Sequence, residues 1–196
     1  MNNYNTQEFN RLIANRRSVY PTMYSGEIIN DDIINQILEN ANWAPTHRLT
    51  EPWRFTVFTG KGLSKLAEFQ SNLYRQKAEA NNSFDENKFL KLLNKPLLSS
   101  HIISIGMKRD KKECVPEVEE IASVACAVQN MCLTATAYGV GCYWGSGGVT
   151  YNEEAKPFFG LHQNDKLLGF LYLGIPKSKL PQGRRNAIND KVNWVR

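Results

Sequence analysis

One segment constrains the fold more than any other. Residues 117–138, EVEEIASVACAVQNMCLTATAY, run without a proline or glycine. Ala122, Val124, Ala125, Ala127, Val128, Met131, Leu133 and Ala135 wind round more than one side of a helix. A surface helix keeps a polar side, so the pattern predicts a central helix packed on several sides, its alanines allowing close approach by a neighbour. Gly139 and Gly141 end it and lead into an extended piece, Cys142-Tyr143-Trp144.

The remaining elements must be arranged round that helix. Residues 5–16 read as a helix capped by Asn5, with Glu8 completing a capping box and Phe9, Leu12 and Ile13 as its apolar stripe. After a turn through Pro21 and Gly26, Asn30 caps a second helix. Asp31 and Asp32 favour its positive end, and Pro45 stops it. Residues 55–58 fit a strand, 62–80 a helix, and 85–94 a shorter helix ended by Pro96. The run LLSSHIISIGM suits a central strand, and KLLGFLYLGI at 166–175 a final core strand stopped by Pro176. Thr150 and Glu153 suggest a capping box for a short helix ending by Gly160. Trp194 and Val195 imply a C-terminal tail, 177–196, that docks on something. The class is α+β, read as a single domain over 1–196 with no internal repeat, and 70–95 is long and polar enough for a lid or dimer arm.

Charge and cysteine usage narrow the functional classes. Lys and Arg number 24 against 19 Asp and Glu, a net charge of +5. That excess is too small and dispersed for a nucleic-acid binder, and Lys108-Arg109-Asp110-Lys111-Lys112 reads as a solvated loop. A basic module binding nucleic acid or protein is the reading of a different class. The opening MNNYNTQEFN lacks the apolar core of a secretory signal, and no stretch approaches a membrane span. The four cysteines form no CxxC pair and read as free, buried thiols, which fits a reducing cytoplasm.

Three short segments carry the chemistry. Arg16, Arg17 and Ser18 follow a helix; guanidinium forks and a hydroxyl suit a phosphate, though a helix C-terminus also accounts for arginines there. His47 follows the proline-stopped helix and is either a polar wall of a site or a surface histidine. His101 and His162 read as structural. Gly145-Ser146-Gly147-Gly148 permits close backbone approach to a ligand, but it is neither a GxGxxG fingerprint nor a P-loop.

In this order the segments resemble the FMN-dependent nitroreductase family. NRRSVY matches its phosphate-binding segment and APTHRLTEPWRF its second flavin-facing segment. IASVACAVQNMCLTATAYGVGCYWGSGG resembles the central helix with its glycine turn, and KLLGFLYLGIP the last core strand. The resemblance spans roughly 5–195. It implies a mainly antiparallel sheet flanked by helices, a homodimer, and two FMN sites at the subunit interface. It also implies ping-pong transfer of reducing equivalents from NADH or NADPH to a nitroaromatic or quinone. Dehalogenation or flavin processing is the alternative within the same resemblance.

Carried over by position, Arg16, Arg17 and Ser18 would hold the phosphate, ribityl or pyrimidine groups. Trp43 and His47 would approach from the second segment, supplied by the other subunit. Trp144, Gly145 and Ser146 would line the ring, and Arg184 or Arg185 would reach the phosphate from the tail. No side chain is required as a catalytic acid. The chain departs from the family where Tyr20 replaces an arginine, Leu49 an asparagine and Glu51 a glutamine.

Overall fold

The computed structural model describes residues 4–196; the first three residues of the polar opening segment lie outside the described residues. Four strands form one antiparallel sheet in the order β1-β2-β4-β3: β1 Trp53–Thr59, β2 His101–Met107, β3 Gly141–Gly145 and β4 Lys166–Gly174. Five α-helices complete the chain: α1 Thr6–Asn15, α2 Asp31–Asn42, α3 Lys61–Ala80, α4 Glu86–Asn94 and α5 Glu117–Ala137. The sheet is covered on both sides, and its central strands, β2 and β4, are buried at nearly every position. On one side Ile103, Ile105, Met107, Leu171 and Leu173 pack with α2 and α5. On the other, Ile102, Phe170 and Tyr172 pack with Leu63, Leu66 and Leu73 of α3.

Sequence signals set most of the boundaries. Asn5, Asn30 and Asp85 accept hydrogen bonds from first-turn amides of α1, α2 and α4. The capping box placed at Thr150 moves: Thr150 donates instead to the Gly147 carbonyl, and Asn152 caps a 3-10 segment, Glu153–Phe159, that Gly160 closes at φ 68°. A 3-10 turn suffices because Pro157 interrupts the run.

Helix α5 differs from its expected enclosure. Val124, Ala127, Val128, Met131 and Ala135 are buried, but Val118, Ala122, Cys126 and Ala137 stay exposed along another side. The apolar stripe of α1 is likewise open, with no residue of the helix buried. Between α1 and the end of α5 runs a groove of about 910 Å³, floored by Phe9, Leu12, Thr136 and Ala137. The pattern that suggested packing on several sides thus includes apolar surface that one copy of the chain leaves uncovered.

Two further expectations change. Cys132 and Cys142 are buried free thiols, whereas Cys114 and Cys126 are exposed because the first lies in a loop and the second on the open side of α5. Arg109 leaves the solvated loop, pairing with the fully buried Glu120 and donating to the Val115 carbonyl. A carboxylate on the inner side of α5 needs such a partner, and the Asp110 amide also donates to it. The tail from 182 onward is exposed, Trp194 and Val195 included.

Candidate functional site

The segment after α1 is pinned to the free edge of the sheet. Ser18 forms a parallel bridge with Cys142 of β3, and the Val19 amide donates to the Cys142 carbonyl at 2.8 Å. Tyr24 holds the same segment from below, its buried hydroxyl lying 2.8 Å from the Val19 carbonyl and 3.0 Å from that of Tyr172. Burial raises the Tyr24 pKa well above the usual phenol range, so the group stays a neutral donor. Consequently Arg16, Arg17 and Ser18 run alongside the strand that ends in the glycine turn.

The two arginines do different work. Arg17 donates to the carbonyls of Ala14, Arg16 and Pro181. It thereby closes α1 and clasps the start of the tail, bringing Gly183 against its guanidinium, one residue before Arg184. The Arg16 side chain has no hydrogen-bond partner among the described residues. It lies near Cys142, whose thiol is pushed up by its hydrogen bond with Cys132 and by burial, with the guanidinium only partly offsetting both. Arg16 and the exposed Ser18 hydroxyl are therefore the free donors at this edge.

Beyond Ser18 the surface becomes aromatic, then glycine-lined. The Tyr20 ring stands 4.6 Å from that of Tyr143, which lies beside Tyr172. Lys95, half-buried after α4, places its ammonium 4.9 Å from the Tyr143 ring centre and 4.5 Å from that of Tyr172. A cavity of about 400 Å³ opens here, lined by Tyr143, Tyr172, Gly145, Gly147 and Gly148, with Gln70 at its inner end. A neighbouring trough of about 580 Å³ joins it at Tyr143 and Lys95 and extends past Tyr20 and Thr22. Gly148 is needed where it stands: its φ is +71°, and a Cβ would lie 2.8 Å from the Gln70 amide oxygen.

Not every residue singled out in the sequence reaches this cavity. Strand alternation turns Tyr143 toward it and Trp144 toward the side of Cys142. The Trp144 indole donates to the Leu168 carbonyl at 3.1 Å, in a notch left by Gly169. Arg184 and Arg185 are exposed. Trp43, the last-turn cap of α2, is 78% exposed.

His47 lies elsewhere, its Nδ1 2.5 Å from the Glu119 carboxylate in the first turn of α5. Glu119 and Cys132 are thirteen residues apart on α5, about 20 Å at 1.5 Å per residue. Arg16 sits near Cys132, so the two predicted halves of the site occupy opposite ends of α5. The turn at His47 is also strained: Arg48, Leu49 and Glu51 all have positive φ, at 52°, 53° and 42°, each costing on the order of 1–3 kcal/mol. The fold around it holds that shape, with Thr46 accepting from the Glu51 amide.

The sequence reading passed over Tyr143, Lys95 and Gln70. Lys95 follows a helix and Gln70 sits within one, so neither carried a motif; only the topology brings them to the glycine turn.

Comparison with known proteins gives a consistent result. The profile of the nitroreductase family matches residues 13–175. YdjA of Escherichia coli K12, which carries an NAD(P)H nitroreductase assignment, is 33% identical over 168 residues, covering 86% of this chain and 88% of its own. The crystal structure of a nitroreductase-like family protein from Bacillus cereus superposes with a TM-score of 0.79 at 26% identity, covering 100% of this chain and 98% of that one. A nitroreductase-type protein from Desulfovibrio desulfuricans, solved in complex with FMN, shares the fold with a TM-score of 0.71 at 21% identity, over 95% and 96% of the two chains.

Proposed function

This chain belongs to the nitroreductase family, and from that premise we propose that it is an FMN-dependent oxidoreductase carrying reducing equivalents from NADH or NADPH to a small electron-poor acceptor, a nitroaromatic or a quinone. One observation carries the reading. The free guanidinium of Arg16 and the Ser18 hydroxyl stand at one end of a continuous surface that passes the Tyr20–Tyr143 pair and ends in a glycine-lined cavity. A phosphate at one end and a flat ring at the other match FMN in polarity and order. The glycine turn supports the fit, because a side chain at Gly145 would strike the Tyr143 ring and one at Gly148 the Gln70 amide, both walls of the cavity.

When bound, FMN supplies the hydride chemistry itself. The chain's own residues bind and orient. Arg16 and Ser18 neutralise and hold the phosphate, while Tyr143 and Tyr172 form an apolar wall that excludes water. The Lys95 ammonium would offer positive charge to a ring held in this cavity. Reductant and acceptor would use one face in turn, so no side chain need serve as a catalytic acid.

The site is completed by a second copy. His47 lies about 20 Å along α5 from Arg16, and the uncovered sides of α1 and α5 lie between these ends. A two-fold axis near the middle of α5 would set the His47 end of one subunit against the Arg16 end of its partner. The tail, exposed in one chain, has the other subunit within reach.

The test is the absorbance spectrum of the purified protein supplied with FMN, followed by anaerobic titration with NADH and NADPH. The reading predicts a retained flavin band that bleaches with reductant and returns on adding a nitroaromatic or quinone. Protein that neither retains flavin nor oxidises either nicotinamide would refute it. Arg16→Ala should weaken FMN binding at least tenfold, about 1.4 kcal/mol or more.

A further inference from the structure

Lys88, Lys91 and Lys95 follow one another at helical spacing along α4 and its end, and all three line the cavity at the glycine turn. No aspartate or glutamate lines it. Among the described residues none of the three ammonium groups is paired with a carboxylate; the lysines in ion pairs are Lys77, Lys156 and Lys166. Two of them lie against rings instead, Lys88 at 4.6 Å from Tyr74 and Lys95 over Tyr143 and Tyr172. A ring steadies an ammonium without neutralising it. Burial, and after it the Lys91 charge, lower the Lys95 pKa.

An independent feature points the same way. Gln70 is 2% exposed and lines the same cavity, yet its Nε2 has no hydrogen-bond partner. A buried amide donor without a partner is costly, and a ligand that accepts its hydrogen bond would recover that cost. Aromatic walls, three unpaired cations and a spare donor together describe the complement of an aromatic anion.

We propose that the α4 lysines select the acceptor: an electron-poor aromatic ring bearing a carboxylate, taken in preference to a neutral ring of the same size. The identity of the ligand as an acceptor rests on the oxidoreductase reading; the anion site rests on the cavity alone.

The test compares 4-nitrobenzoate with 4-nitrobenzamide, alike in ring and size but not in charge, using FMN-loaded protein. At low salt kcat/KM should favour the benzoate about tenfold, and the preference should shrink as salt rises. Lys88 and Lys91 are exposed, so Lys88→Gln and Lys91→Gln should fold and keep their flavin. Each should lower kcat/KM for the benzoate about threefold and the double variant about tenfold, with the benzamide changed by less than about twofold. Equal use of the two acceptors, or variants that affect both alike, would overturn the proposal. Loss of NADPH-driven turnover with NADH-driven benzoate turnover intact would assign the lysines to the reductant's phosphate and overturn it equally. If the protein holds no flavin, the oxidoreductase reading fails. Calorimetric titration with 4-nitrobenzoate then decides the anion site alone: an affinity that the double variant loses supports it, and no binding rejects it.

Discussion

Tyr24 shows how one side chain can position a site it does not enter. Its hydroxyl links the Val19 and Tyr172 carbonyls, and its ring lies against Gly174, where no side chain would fit. Tyr24→Phe should cost about 1–2 kcal/mol, roughly 3–6 °C in Tm, and loosen the Arg16–Ser18 edge enough to weaken FMN retention. Thermal melts with and without FMN check both effects.

Lys95 gives a pH dependence of defined sign. Its folded pKa lies below the ordinary 10.5, so across the interval up to that value the unfolded chain holds a proton that the folded one has released. Flavin-free stability should therefore rise with pH through that interval, and the cost of the buried charge is fully present below it. Lys95→Met should raise the urea midpoint near neutrality and flatten the alkaline rise. None of this was legible from the sequence, because the surroundings of Tyr24 and Lys95 are built by residues far away in the chain.

At the scale of elements, the sequence reading was most secure where a local signal suffices. Asn5 and Asn30 cap as expected, and the apolar runs of β2 and β4 sit at the centre of the sheet. It went astray where a second element decides the outcome. Arg109 looked like one member of a solvated basic run because Glu120, eleven residues away, is turned inward by α5. Glu120→Ala should leave Arg109 and the Asp110 amide without their acceptor, lowering the urea midpoint far more than Glu119→Ala. Helix α5 is central as expected, yet part of its apolar character faces outward, at Val118, Ala122 and Ala137. Periodicity reports which sides avoid water, not whose atoms cover them.

For the whole molecule, the proposed dimer would use that open side of α5. Cys126 is exposed near the helix midpoint, where a two-fold axis would bring two copies together. Cys126→Arg should shift the protein to monomer in sedimentation velocity and remove its flavin, while circular dichroism stays unchanged. A dimeric, flavin-loaded variant would rule out this face as the interface.

The distance along α5 between Arg16 and His47 has a genetic consequence. If each site draws Arg16 from one subunit and His47 from the other, an Arg16→Ala chain and a His47→Ala chain, assayed at an FMN concentration too low to fill the weakened sites, are both inactive alone. A mixed dimer collects both lesions in one site and leaves the other intact. Refolding the two inactive proteins together should restore roughly a quarter of the wild-type activity, since about half the dimers are mixed and each works at one site. Two defective alleles of this gene would then complement each other within a cell.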